Sequence, residues 1–359
     1  MSLPPAPPAS RSPWQLLYAG AHRLRRGYWR RRASRLPRPV VSIGNLHWGG
    51  SGKTPLTAAV ARHLARRGLR VAVLSRGYKS RGEGVRVVST GRAGEGPLLG
   101  PSVAGDEPVL LAGELPGVAV LVCPDRAAAG RHAMAHLDPP PDLFVLDDGF
   151  SHVRLAREVD LLAFPSADPF GGGRLAPGGR LREPLQSVAA ADAVLLTGPA
   201  DEVDPDGGRA LGAELARFGF HGEGFAAPIR PLPARTATGE RVPEGTRVLL
   251  VSGVARPEGV LRSAREVGLT VAAELRFGDH HAYPESSLRK ITESFRQTGV
   301  RAVATTSKDR VKLHGRLAEI SPVDVPLVEI PVACEPEPAL FAWLDARLER
   351  RPARGRGGP

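Results

Sequence analysis

The strongest constraint on this chain is residues 40–55, VVSIGNLHWGGSGKTP. A short apolar run enters a glycine-dense loop, and Gly-Lys-Thr then opens a segment with helical periodicity. Strand, loop and helix in that order are the context a phosphate-gripping loop needs. Glycines let backbone N–H groups turn inward around anionic oxygens. The helix N-terminus behind them adds a favourable dipole. Gly49, Gly50, Ser51, Gly52, Lys53 and Thr54 are therefore candidate nucleotide-binding residues. Lys53 would bridge the terminal phosphates, and the Thr54 hydroxyl would hold Mg²⁺. One feature resists: the standard pattern has its first glycine where this chain has His47.

Apolar runs and helical periods alternate after the loop. Strands are predicted at 40–43, 70–74, 118–122, 142–146, 159–164 and 193–197, and helices at 55–67, 106–115 and 126–136. Such alternation implies an α/β fold, a P-loop NTPase-like parallel sheet flanked by helices. Residues 226–246 carry prolines and a Thr-Gly-Glu turn without a helical period, and read as a linker or β-ribbon. The rhythm restarts with strands at 247–251, 271–275 and 302–305 and helices at 257–267 and 285–297. The expected division is thus a basic segment 1–36, a P-loop domain 37–225, a linker 226–246, a smaller α/β domain 247–350 and a disordered tail 351–359. Residues 1–12, rich in Pro, Ala and Ser, also read as disordered.

No apolar run approaches the ~18–20 residues that span a bilayer. The N-terminus lacks the apolar core of an export signal. Cys123 and Cys334 are isolated and fit no metal spacing, which suits a reducing cytoplasm. Net charge is +12, nearly all from arginine, so either codon bias or an acidic partner explains it. Within residues 13–35, Trp14, Leu17, Tyr18, Ala21, Leu24 and Tyr28 share one helical face and arginines crowd the rest. That pattern suits an anionic membrane surface, and equally a helix packed on its own domain.

A P-loop needs an acid at the end of a neighbouring strand, and DLFVLDDGF supplies Asp147 and Asp148. Which of the two would touch the metal is open. In GDEPVLLA, Asp106 is either a helix cap or a general base aimed at an acceptor hydroxyl. In FGDHHAY, His280 and His281 beside Asp279 suit a carboxylate-polarised histidine or a surface turn, and not the spacing of a zinc site. Arg76, Arg126, Arg174, Arg180 and Arg182 stand in loops where guanidinium forks could hold phosphate, in a chain saturated with arginine.

Together the stretches PVVSIGNLHWGGSGKTPL, VAVLSRGYKSRG, GDEPVLLA, DDGFSHVRLAREVDLL, GRLAPGGRLREP, FGDHHAY and TTSKDRVKL resemble one family, the tetraacyldisaccharide 4′-kinases of lipid A biosynthesis, over about residues 37–312. The family's loop also lacks the first glycine, and His47 is this chain's variant. The resemblance implies two α/β domains joined by a β-ribbon. It implies transfer of the ATP γ-phosphate to the 4′-hydroxyl of a lipid disaccharide 1-phosphate. It also implies a peripheral place on the cytoplasmic face of the bacterial inner membrane. By this resemblance Lys53 and Thr54 grip phosphate and Mg²⁺, and Asp147 and Asp148 form the metal-side pair. Asp106 is the base, supported by His280 of the His280-His281 pair, while Arg76, Arg126 and Arg174 fall in stretches like the lipid-phosphate site. Ser151, Ser307 and Gly172 depart from the family's usual glutamine, glutamate and asparagine. No nucleic acid and no obligate protein partner is expected. Two rivals are a partition-type ATPase, which would use a similar loop, and a nucleic-acid binder, which would leave the acids and histidines unexplained. No Asn-Lys-x-Asp motif supports a GTPase.

Overall fold

The structure, a computed structural model, describes residues 4–7, 13–78, 80–320 and 325–350. The tail 351–359 and most of residues 1–12, read as disordered from sequence, lie outside these. Residues 4–7 are instead docked. Ala6 is buried, its N–H donates to Glu214 Oε2 (2.9 Å), and its carbonyl accepts from Arg217 Nη1 (2.9 Å).

The first eight strands build one sheet: β1 (Val40–Gly44), β2 (Val71–Ser75), β3 (Arg86–Thr90), β4 (Ala119–Val122), β5 (Leu143–Leu146), β6 (Val159–Pro165), β7 (Ala193–Pro199) and β8 (Glu223–Pro231). A second sheet takes β9 (Arg235–Thr236), β10 (Arg247–Ser252), β11 (Thr270–Arg276), β12 (Ala302–Thr306) and β13 (Leu327–Ile330). The chain then returns: β14 (Val332–Cys334) pairs antiparallel with β8. The orders are β14-β8-β7-β6-β1-β5-β2-β4-β3 and β11-β10-β12-β13-β9, parallel except at β3, β9 and β14. The helices are α1 (Pro13–Arg31), α2 (Lys53–Arg66), α3 (Pro101–Ala104), α4 (Asp106–Glu114), α5 (Arg126–His136), α6 (Gly207–Ala216), α7 (Pro257–Glu266), α8 (Glu285–Thr298), α9 (Ser307–Leu313), α10 (Arg316–Ile320) and α11 (Pro338–Glu349).

The central strands β1, β2, β4 and β5 are buried throughout, because helices cover both faces. Alternate residues divide between the faces. Ile43, Val73 and Val145 pack with Leu56 of α2, Leu111 of α4 and Leu340 of α11. Leu74, Phe144 and Leu146 pack with the alanines of α5. Toward β7, Leu162 and Leu196 pack with Leu211 and Leu215 of α6.

Two sequence expectations shift. Residues 226–231, read as linker, extend β8 of the first sheet; their prolines are tolerated because only the three-residue β14 lies beyond. Residues 332–350, grouped with the smaller domain, return to the first sheet, since Cys334, Leu340 and Leu344 join its core. The chain therefore crosses between the sheets twice, from β8 to β9 and from β13 to β14.

Helices α4 and α9 lie against each other across the junction. At its far end, Glu114 closes α4. Burial, then the charge of Glu329, pushes its pKa up to about 7, against Arg62, Arg235 and Arg310. Glu329 is itself buried between Arg235 (3.2 Å) and Arg310 (2.8 Å). A carboxyl whose folded value is raised binds its proton more tightly when folded. It therefore costs stability progressively as pH climbs from 4.5 to about 7, and by a constant amount above. Glu114→Gln is expected to raise the thermal midpoint at pH 8 and to leave it unchanged near pH 4.5; a shift that is the same at both would contradict this account.

Candidate active site

The site lies at the carboxyl ends of the first sheet's strands. β1 is flanked there by β5 and β6, and the loop after it turns into α2. Ligands of open α/β sheets bind at such carboxyl edges. Gly49 and Gly52 take positive φ (+89° and +72°), which a side chain would disfavour. A Cβ on Gly52 would also stand 2.7 Å from Ile229 Cδ1. Inside the loop, Asn45 Nδ2 donates to Ser51 Oγ (2.6 Å), and Lys53 Nζ donates to Asn45 Oδ1 (3.2 Å). Thr197 Oγ1 supports it from β7 by donating to Ser51 O (2.8 Å). Gly50 and Thr54 flank the start of α2, and a helix N-terminus offers unpaired N–H groups that suit an anion.

Asp147 and Asp148 follow β5 and behave oppositely. Asp147 is buried, accepting from Thr57 Oγ1 (3.2 Å) and Ser75 Oγ (3.2 Å), with no ion pair among the described residues. Burial, then the nearby charges of Glu107 and Asp148, pushes its pKa up to about 7. Asp148 adopts positive φ (51°) and meets Lys53 Nζ (3.1 Å), Arg182 Nη2 (2.5 Å) and Arg182 Nη1 (3.0 Å). Burial alone would raise it, but Lys53 and Arg182 hold it well below the usual carboxylate range. Arg182 also donates to Asn45 O from Nε (3.2 Å) and Nη2 (3.0 Å).

A second cluster joins the two sheets. Asp106 is the first residue of α4, capped by Gly105 rather than acting as the cap itself. Its Oδ2 lies 3.1 Å from His280 Nδ1 and 3.8 Å from Lys312 Nζ. Burial opposes ionisation, but the His280 hydrogen bond and then Lys308, with Lys312 beyond, bring the pKa of Asp106 down to about 2. His280 sits at positive φ (56°), with Tyr78 edge-on to its ring at 5.5 Å. On its far side Nε2 meets Lys308 Nζ (3.1 Å), and Lys308 also pairs with Glu107 Oε1 (3.5 Å). His281 turns away to Ser287 Oγ (2.8 Å) and stacks on Phe277. The geometry thus separates the two histidines.

The arginines divide. Arg126, the buried first residue of α5, is lowered to about 10 by burial, with Asp148 opposing and Arg76 assisting. Arg76 is exposed just after β2, and within electrostatic reach of Arg126. Arg174 is exposed in the 171–182 loop. Arg182 of that loop reaches the phosphate loop instead. Sequence reasoning placed Arg182 in a cluster but missed its partner. It passed over Asn45, Thr57 and Lys308, which only tertiary contact reveals. Ser151 meets the buried Glu183.

This fold and loop define a P-loop α/β protein whose second α/β unit reaches into the site. The chain belongs to the tetraacyldisaccharide-1-phosphate 4′-kinase family, whose profile matches residues 10–349. It is 41% identical to a tetraacyldisaccharide 4′-kinase of Pelobacter propionicus over 84% of this chain and 82% of that protein. It is 43% identical to one from Anaeromyxobacter sp. Fw109-5, over 87% and 83%. The crystal structure of LpxK from Aquifex aeolicus in complex with ATP matches with a TM-score of 0.69 and 29% identity, covering 94% of this chain and 98% of that one. The chain is accordingly a phosphotransferase with an alcohol acceptor, and the ATPase and nucleic-acid rivals fall away.

Arg182→Ala leaves Asn45 O and half of the Asp148 carboxylate without a partner. It is expected to lower unfolding free energy by about 1–3 kcal/mol, read by denaturant titration. It should also speed amide exchange at residues 45–52 selectively; unchanged exchange there would show that the clamp does not hold the loop.

Proposed function

We propose that this protein transfers the γ-phosphoryl group of ATP to the 4′-hydroxyl of a tetraacyl disaccharide 1-phosphate in lipid A synthesis, with Lys53 gripping phosphate and Asp106 acting as base. The observation that supports these roles best is the pairing of Asp106 with His280 beside the Lys53–Asp148 loop, since Glu107, next to Asp106, lies within electrostatic reach of Asp147. The loop N–H groups of Gly49, Gly50, Ser51 and Gly52 cradle the β- and γ-phosphates. Lys53 then exchanges Asp148 for phosphate oxygen and stabilises charge on the transferring group. Asp106 takes the proton from the acceptor hydroxyl, and His280 holds its carboxylate in line. Arg76 and Arg126 face the lipid's phosphate, with Arg174 contributing from the 171–182 loop.

The residues present fit Mg²⁺. Asp147 is a buried carboxylate without a cation partner among the described residues, beside a second carboxylate and the Thr54 hydroxyl. Mg²⁺ commonly binds through one or two carboxylates with waters and substrate phosphates completing its shell. No group of three or more His, Cys, Asp or Glu side chains forms a metal cage among the described residues. Thr54, Asp147 and Asp148 would hold the ion, which when bound neutralises charge on the phosphates.

The proposed setting is the cytoplasmic face of the inner membrane, with α1 resting on anionic lipid. Trp14, Leu17 and Leu24 of α1 are 63%, 71% and 77% exposed. Arg26 docks the helix on Phe150 O (3.1 Å) and Glu183 (3.2 Å). No helix among the described residues is long and apolar enough to cross a membrane.

With ATP, Mg²⁺ and the lipid disaccharide 1-phosphate, the purified protein is expected to form the 4′-phosphate. Asp106→Asn should lower kcat about 10²–10⁴-fold while leaving ATP binding intact. No product from wild type would overturn the function, and undiminished turnover by the variant would overturn the assigned base. Leu17→Glu combined with Leu24→Glu should weaken binding to anionic vesicles by at least about tenfold without altering the thermal midpoint. Equal vesicle binding would exclude this face of α1 as the membrane contact.

A further inference from the structure

Lys308 is the second residue of α9. Its ammonium lies 3.1 Å from His280 Nε2, 3.5 Å from Glu107 Oε1 and 3.8 Å from Asp279 Oδ1. A lysine ammonium carries three donors and no acceptor, so a hydrogen bond to an imidazole nitrogen requires that nitrogen to be the unprotonated one. Nε2 is therefore the acceptor and the ring proton sits on Nδ1, the nitrogen that faces Asp106 Oδ2 at 3.1 Å. We infer that Lys308 is a positioning residue that fixes the Nδ1–H tautomer of His280, so that His280 donates to Asp106 and keeps it a carboxylate aimed at the acceptor. This inference rests on the reading of Asp106 as base.

The topology gives the arrangement a purpose. His280 and Lys308 both belong to the second sheet's unit, whereas Asp106 and Glu107 open α4 of the first. Lys308 thus favours the Nδ1–H form from within the same unit as the histidine, ahead of any contact with Asp106. The main chain at His280 is fixed independently, through its N–H to Gly253 O (3.2 Å). The charged groups facing the imidazole are Asp106 at Nδ1, Lys308 at Nε2 and Asp279 3.9 Å from Nε2, with Glu107 and Lys312 one step removed and the Tyr78 ring at the edge. Asp279 alone would favour a proton on Nε2; the Lys308 ammonium opposes it there and, with Asp106 at Nδ1, selects the Nδ1–H form. Without that ammonium, Asp279 would compete with Asp106 for the ring proton, and the Nε2–H form it draws would leave Nδ1 as a bare acceptor facing an anionic carboxylate.

The test uses the full-length protein with ring-labelled histidine, comparing wild type, Lys308→Met, Lys308→Arg and Asp106→Asn. Nitrogen NMR of wild type should show His280 protonated at Nδ1 and bare at Nε2. Lys308→Met should shift the population toward protonated Nε2 and lower kcat about tenfold or more, with the KM for ATP within about twofold. Lys308→Arg, which keeps a cationic donor, should restore the wild-type tautomer and most of kcat. A wild-type Nε2–H form, or a Met variant with unchanged tautomer and kcat, overturns the inference. Loss of turnover in Asp106→Asn alongside an unaffected Met variant sinks the lysine's role alone, whereas full turnover in Asp106→Asn removes the base reading itself.

Discussion

The grip of Lys53 and Arg182 on Asp148 organises the first sheet's working edge. Three segments far apart in sequence meet at that carboxylate: the loop after β1, the end of β5 and the 171–183 loop. Arg182 adds two bonds to Asn45 O, so the entry of the phosphate loop and the Asp148 turn are fixed by one guanidinium. A fork of five donors in fixed geometry serves both oxygens of the carboxylate and the carbonyl together. The next residue, Glu183, is buried and takes His22 (3.4 Å), Arg26 (3.2 Å) and Ser151. The exposed N-terminal helix is thereby tied, through two consecutive residues, to the loop that would carry nucleotide.

The two acids after β5 show how environment divides one residue type into two roles. Asp148 has two cations against it and remains an anion. Asp147, a residue away, has only hydroxyl donors and its pKa is pushed up to about 7 by burial and by its acidic neighbours. A buried carboxylate left in that condition is unfavourable unless a cation arrives. Strain and uncompensated charge of this kind are retained where function requires them. The positive φ values of Asp148 and His280 fall at the same two clusters, and among the described non-glycine residues they are shared only with Tyr283, next to the His280 turn.

Much of this was legible in the sequence. Apolar runs without alternation announced strands covered on both faces, and β1, β2, β4 and β5 are buried along their whole length. Gly-Lys-Thr after such a run located the loop, and Asp-Asp after another located the acids. The unreadable parts depend on tertiary contact. Proline-bearing 226–231 carries no strand signal of its own and becomes a strand because β7 and β14 pair with it. Residues 332–350 are returned to the first sheet by a core that no local pattern describes. Among so many arginines, Arg182 could not be told from Arg174 or Arg180 until its distance to Asp148 was fixed. Lys308 gave no signal because its partner, His280, is 28 residues away, on a loop that only the fold brings to α9.

His47 shows how the loop manages without the usual first glycine. A glycine is needed where a side chain would fill the space meant for phosphate. Here the side chain is directed elsewhere: His47 is buried, edge-on to Phe164 at 5.7 Å, and its backbone bridges to Leu181. Trp48 N–H donates to Arg180 O (2.8 Å), fastening the same turn to the 171–182 loop. Burial lowers the pKa of His47 to about 4, so the ring is neutral at physiological pH and adds no charge to the cradle. The turn reverses into that loop, and Gly171 leaves the ring its room: a Cβ there would stand 3.3 Å from His47 Cδ2. The flexibility the phosphate requires is left to Gly49 and Gly52, whose positive φ values fall where the backbone must turn inward. The departure at position 47 therefore relocates an anchor without altering the cradle, and the same loop that receives His47 delivers Arg182 to Asp148.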